Sequence, residues 1–152
     1  MIDLQTLATL PVRLLLLVGP QPARLTRRLH TWRDQLAVPL LDLGPALAER
    51  LAGGPLAERA ARAAAILDDL LAGGDDPLLV DHVDALFDPA LALDPLALLK
   101  RASRRRALVV AWTGEIIAEG LTHSTSDQPN YRRYPSTDLD DITIVTLPAP
   151  PV

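Results

Sequence analysis

Five short, mostly apolar runs separated by helical periodicity constrain this chain more than any other feature. Residues 13–18 end in Leu14-Leu15-Leu16-Leu17-Val18 and stop at Gly19-Pro20. Residues 38–43, 77–81 and 107–112 repeat the pattern, and residues 141–147 close it with the β-formers Ile142, Thr143, Ile144, Val145 and Thr146. A run apolar at every position, rather than at every second one, has both faces covered, as in a parallel sheet between helices. Between the first two runs, Leu25, Leu29, Trp32 and Leu36 fall at spacings of four, three and four, which predicts an amphipathic helix over residues 23–37. Helices are expected at 45–52 and 55–72, separated by Gly53-Gly54 and closed by Gly73-Gly74. Asp94-Pro95 supplies an N-cap and first helical position for another that reaches about Ser103. This β-α-β-α-β-α-β-β order predicts a three-layer α/β/α domain with a mostly parallel five-stranded sheet. Residues 1–12 read as a lead-in, 114–136 as a hairpin or loop excursion, and 148–152 as a frayed tail.

At 152 residues the chain is long enough for one domain with a real core, expected to span 1–152. Hydrophobic residues make up 49%, yet there are only one Phe, two Trp and two Tyr, so Leu, Ala and Val must build that core. No apolar run approaches the ~20 residues of a membrane span, and no charged-then-apolar leader is legible. The absence of cysteine excludes disulfides and thiolate metal sites and fits a cytoplasmic protein. A net charge of −4 argues against avid, nonspecific nucleic-acid binding by the domain as a whole.

The segment after the first strand, Gly19-Pro20-Gln21-Pro22-Ala23-Arg24-Leu25-Thr26, has the layout of a phosphate-binding loop, G-x-x-x-x-G-K-S/T. Gly19 opens it, and Thr26 closes it where a magnesium-coordinating hydroxyl would sit. Arg24 replaces the second glycine and Leu25 the phosphate-gripping lysine. Lys100 is the single lysine among 15 basic residues, so no other lysine nearby stands in. A phosphate loop curls successive N–H groups around an anion at a helix start, and glycine makes the close approach possible. The N–H groups of Ala23, Arg24, Leu25 and Thr26 leave a partial nest, and Arg24 or Arg28 is placed to reach back toward a phosphate. Losing the lysine removes a charge-assisted contact of roughly 1.5–3 kcal/mol, and phosphoryl transfer depends almost wholly on such contacts.

In open α/β sheets, ligands sit at the carboxyl ends of strands. Three such ends carry polar groups: the Gly19–Thr26 segment, Asp81 after the third strand and Thr113 after the fourth. They correspond to a phosphate loop, a magnesium-holding carboxylate and a polar sensor, so Thr26 and Asp81 are the candidate magnesium ligands. Asp81, Asp84 and Thr113 are the candidate catalytic groups. A strand intervening before the carboxylate-bearing one places the pattern nearer the AAA-like branch of such NTPases than the kinase-like branch. His82 stands where a water-polarising glutamate is usual. His30 and His123 have no spacing that suggests a shared metal site. Asp81 as a mere strand cap and Asp84 as a solvated carboxylate remain the bland alternative.

Two basic stretches stand out. Lys100-Arg101-Ala102-Ser103-Arg104-Arg105-Arg106 ends a helix, where cations complement the helix dipole. Arg104, Arg105 and Arg106 are otherwise candidates for an arginine finger in a neighbouring subunit's site, or for nucleic-acid contact. Tyr131-Arg132-Arg133-Tyr134 interleaves basic and aromatic residues, a pattern compatible with stacking on nucleic acid through Arg132 and Arg133, or with partner docking.

From Leu78 the chain reads Leu-Val-Asp-His-Val-Asp-Ala-Leu-Phe-Asp-Pro, then Asp94-Pro95-Leu96-Ala97-Leu98-Leu99, Ser103-Arg104, Trp112-Thr113-Gly114, Leu121-Thr122 and Pro129-Asn130-Tyr131-Arg132-Arg133-Tyr134. With the loop at Gly19, this order resembles the BrxF family, the small P-loop proteins of type 3 BREX bacteriophage-exclusion systems, over about residues 13–147. That family implies a Gly-Lys-Thr loop ending and an Asp-Asn-x-Glu after the third strand. Here Arg24-Leu25-Thr26 and Asp81-His82-Val83-Asp84 stand instead. The resemblance implies an antiviral-defence role beside other BREX proteins, with ATP and Mg²⁺ as the cofactors of an intact member. The expectation is an accessory subunit with a degenerate loop, acting by assembly, with weak nucleotide binding or none. An ATP-hydrolysing switch using arginine for lysine and a DNA-contacting module are the alternatives; a homo-oligomer fits any of the three.

Overall fold

A computed structural model describes residues 4–52, 55–74 and 77–147. Short α1 (Leu4–Ala8) precedes β1 (Leu14–Gly19), α2 (Pro22–Leu36), β2 (Leu40–Asp42), α3 (Leu43–Leu51), α4 (Arg59–Leu71) and β3 (Leu78–Asp81). Then come α5 (Pro95–Ser103), β4 (Leu108–Ile117), β5 (Gly120–His123), β6 (Arg132–Pro135) and β7 (Thr143–Thr146). Single turns of 3₁₀ helix, Val83–Phe87 among them, link β3 to α5. Gly53-Gly54 and residues 148–152 lie outside the described residues.

The parallel part of the sheet runs β2-β3-β4-β1-β7. The fourth strand therefore sits between the first and the third, with Leu14 beside Leu108 and Leu108 beside Leu78. Because both faces are covered, β1 is buried at all six positions, as is β3 at all four. Alternate residues feed two cores. Leu14, Leu16 and Val18 join Val80, Val110 and Trp112 under α3, α4 and α5. Leu15 and Leu17 join Leu79, Val109 and Ala111 under α2, where the stripe Leu25, Leu29 and Trp32 is buried.

The sheet has seven strands where five were expected. Trp112-Thr113-Gly114 does not end β4, which continues to Ile117 and turns back as β5 and β6, an antiparallel meander within the expected excursion. The reason is non-local. A Cβ at Gly114 would run into the Thr122 carbonyl, so this glycine permits the β4–β5 approach rather than stopping the strand.

The meander is pinned by the rare aromatics. Phe87 stacks on His123 (centroids 3.5 Å apart), and Trp112 meets Phe87, His123 and Tyr134 edge-on at 5.1–5.9 Å. The Trp112 Nε1–H donates to the Thr122 carbonyl at 2.9 Å. Asp94 caps α5 by accepting from the Ala97 N–H at 3.3 Å, and it also accepts from the Tyr134 hydroxyl at 2.9 Å. That hydroxyl accepts in turn from the Leu96 N–H at 3.3 Å. Asp94-Pro95 and Tyr134 are thus one structural joint between β6 and the start of α5.

Candidate functional site

The helix that leaves β1 lies on one face of the sheet, and the segment that leaves β3 lies on the other. Divergence of this kind opens a crevice at the carboxyl ends of the strands. A cleft of about 240 Å³ occupies it, lined by Pro22, Leu25, Asp81, His82, Val83, Asp84, Ala111, Thr113, His123, Ser124 and Asn130.

Asp81 sits at its base, 4% exposed. Its Oδ2 accepts from the Thr26 hydroxyl at 2.7 Å, and its Oδ1 accepts from the His82 N–H at 2.9 Å. A hydroxyl one turn into α2 and the end of β3 are thus joined across 55 residues of sequence. Thr113, at the same rim on β4, lines the cleft, and Asp84 stands exposed at its mouth in the Val83–Phe87 turn. The turn after β1, the acid at 81 and the hydroxyl at 113 therefore share one end of the sheet.

The loop itself differs from the expected one. Pro22, with φ preset for helix, starts α2 only two residues after β1 ends. The N–H groups of Arg24 and Leu25 donate to the Gln21 carbonyl at 3.1 and 3.2 Å, and Thr26 lies inside the helix. A nest open to an anion needs those donors. Leu25, 1% exposed, packs into the α2-side core. Gly19 has a structural reason of its own: a Cβ there would run into the Leu147 carbonyl beyond β7. Ala23 and Arg28 are exposed and Arg24 half-buried, and none of the three lines the cleft. The Arg28 guanidinium rests over Trp32 at 5.9 Å.

The basic candidates lie elsewhere. Arg104, Arg105 and Arg106 precede β4, while the cleft is at its Thr113 level, five strand steps or roughly 17 Å further on. Arg104 and Arg105 are exposed and Arg106 is buried. Arg132 is committed to the meander, donating to the Leu93 carbonyl at 2.8 Å and lying 5.1 Å over the Tyr134 ring; Arg133 is exposed.

Two histidines that the sequence did not mark as important shape the cleft. His82 adopts left-handed backbone (φ 60°, ψ 47°), uncommon outside glycine, and Ser124 also has a positive φ (65°) across the cleft. Its Nδ1 lies 2.6 Å from Asp42 Oδ1 and 3.8 Å from Asp81 Oδ2. Partial burial works to lower its pKa, but the Asp42 hydrogen bond and the charges of Asp81, Asp42 and Asp84 outweigh that and raise it. His123 is 1% exposed; its ring nitrogens are sealed from solvent, and the Thr113 backbone is the polar group that acts on them. Burial pushes its pKa down to about 4, with the Asp84 charge and the Thr113 backbone pulling the other way, so the ring is neutral. Local spacing carried no trace of either role, since the sheet alone brings Asp42 to His82 and His123 to the cleft.

Among the described residues, no group of three or more His, Asp or Glu is arranged to hold a metal ion, and no helix is long and apolar enough to cross a membrane. Neither protein-family models, nor curated proteins, nor solved structures match this chain.

Proposed function

We propose that the chain is a non-catalytic P-loop-type domain, an accessory subunit of a cytoplasmic BREX-like antiviral assembly that acts through protein contact. The observation that carries this reading is the Thr26–Asp81 hydrogen bond at 2.7 Å. It couples the residue in the magnesium-hydroxyl position to the carboxylate of β3, and β4 intervenes between β1 and β3 as in the AAA-like branch. A buried acid tied to a helix-start hydroxyl is what remains of a nucleotide site when phosphate is no longer held.

The loop chemistry supports loss of turnover. ATP with Mg²⁺ does not fit the residues present: the link from β1 to α2 is two residues long, the N–H groups of Arg24 and Leu25 are used by Gln21, and the lysine position is a core leucine. No Arg or Lys lines the cleft to replace that lysine. Without preorganised positive groups at the transferring phosphoryl, the transition state has nothing to stabilise it. Calorimetric titration with ATP and MgCl₂, paired with a phosphate-release assay, tests the reading. The expected result is no micromolar binding and no turnover. Micromolar affinity with turnover that Asp81→Asn abolishes would overturn it. Co-expression with the other proteins of such a system tests the assembly half, which fails if the chain elutes alone.

A further inference from the structure

The outer face of α2 is strongly basic, although the protein is acidic. α2 holds four arginines and a single carboxylate, Asp34, while the chain as a whole carries a net charge of −4. Asp34 sits in the last turn, where Arg33 already pairs with it at 3.2 Å. At about 100° per residue, Arg24, Arg27, Arg28 and Gln35 fall within one stripe about 100° wide that runs some three turns, about 17 Å, along the axis. Thr26 lies on the opposite flank, turned to Asp81, so the stripe faces away from the cleft. Arg27 and Arg28 are exposed, and among the described residues no carboxylate is within ion-pair distance of either. These cations also sit at the unfavourable end of the helix. Arg24, Arg27 and Arg28 occupy the first two turns, where the dipole favours anions, and no acidic residue offsets them in the first turn. An arrangement that the helix itself disfavours points outward, to an anionic partner.

From this we infer that α2 docks on the sugar-phosphate backbone of double-stranded DNA through Arg24, Arg27, Arg28 and Gln35. The stripe presents three guanidinium groups and an amide, donors that phosphate oxygens accept from, so the contact is independent of base sequence. It has no exposed large apolar side chain; Ile116, on β4, is the one so exposed among the described residues. An acidic protein partner would need such an anchor at the centre of its interface. Nor does α2 expose an aromatic ring, since Trp32 is buried beneath it, which removes the stacking platform that single strands use. B-form DNA carries phosphates on both walls of a groove roughly 12 Å wide, matched to a helix with Arg27 and Arg28 on its two flanks. The corresponding groove of duplex RNA is too narrow. The acidic remainder of the chain does not forbid the contact, because exposed charges more than about 10 Å away are largely screened at about 0.1 M salt. The inference goes beyond the accessory-subunit reading and does not rest on it, since the stripe lies outside the cleft.

The test titrates the whole chain into a fluorescein-labelled DNA duplex of about 20 base pairs, followed by anisotropy at salt from about 50 to about 200 mM. Saturable binding is expected. Three phosphate contacts give a slope of log affinity on log salt of about −2.7, or about a fortyfold loss across that range. Arg27→Gln should reduce the slope to about −1.8, and Arg27→Gln/Arg28→Gln to about −0.9. Both variants should melt at or above the temperature of the parent, because cations leave the positive end of the helix dipole. That second readout separates a lost contact from a lost fold. Arg104→Gln/Arg105→Gln, a neutralisation of exposed arginines ahead of β4, should bind as the parent does. Duplex RNA of the same length and polyglutamate of equal charge should compete poorly. No saturable binding at the lowest salt, a slope that the α2 variants leave unchanged, or equal competition by duplex RNA would overturn the inference. Displacement by polyglutamate at equal charge would overturn it too, and would assign the stripe to an acidic protein.

Discussion

His123 costs the fold stability in acid, because its buried ring resists the charge that a proton would bring. Its folded pKa of about 4 lies below the ordinary 6.5. As pH falls through that interval, the unfolded chain takes up a proton that the folded ring refuses, so stability declines on the acid side. His82 works with the opposite sign. Its raised pKa adds stability that is complete below 6.5 and is lost as pH rises through the folded value. We expect His123→Leu to flatten the acid-side decline. Urea denaturation at neutral and acidic pH measures it; an undiminished decline would mean that other groups carry it. At this scale the sequence singled out Thr26 and Asp81 as groups at one rim of the sheet, and the structure adds the hydrogen bond between them. The sequence was silent for His82 and His123, whose character comes from burial and from carboxylates 40 or so residues away.

The element whose meaning changed most is the β4–β5–β6 meander. Read locally, Thr113-Gly114 is a strand stop, because glycine usually ends regular structure. In the fold the same glycine lets the Thr122 carbonyl approach β4, a contact between segments with no shared local signal. Gly114→Ala should therefore break the β4–β5 pairing, with a loss above roughly 4 kcal/mol, the range reserved for severe steric conflicts. Tyr134→Phe makes a gentler test of the same element. It removes only the hydroxyl shared by Asp94 and Leu96 and should cost about 1–2 kcal/mol, read as a lowered urea midpoint with the slope unchanged. The helices were more legible than the meander, since α2 and α5 carry their apolar stripe, their proline near the start and, for α5, an Asp cap in sequence order. Pro22 begins α2 one residue before the expected start at Ala23, because its fixed φ suits the first position of a helix.

Across the whole molecule, two cores share one sheet. Successive residues of β1, β3 and β4 feed opposite faces, so neither core can loosen without disturbing the strands that complete the other. The two tryptophans report separately, Trp112 from one face and Trp32 from the other. Single-tryptophan variants, Trp32→Phe and Trp112→Phe, should each show one unfolding transition by fluorescence, coincident with that variant's own circular-dichroism curve. Separate midpoints within either variant would mean that the faces unfold independently. Apolar period and turn residues by themselves determined that strands alternate with helices and that the sheet is mostly parallel, because backbone periodicity and φ preferences act over a few residues. Only the tertiary structure decided that the strands order as β2-β3-β4-β1-β7, that Gly114 serves approach rather than termination, and that a buried imidazole and two carboxylates share a cleft. Those outcomes depend on which distant segments exclude water from one another, and that distance is not written in local sequence.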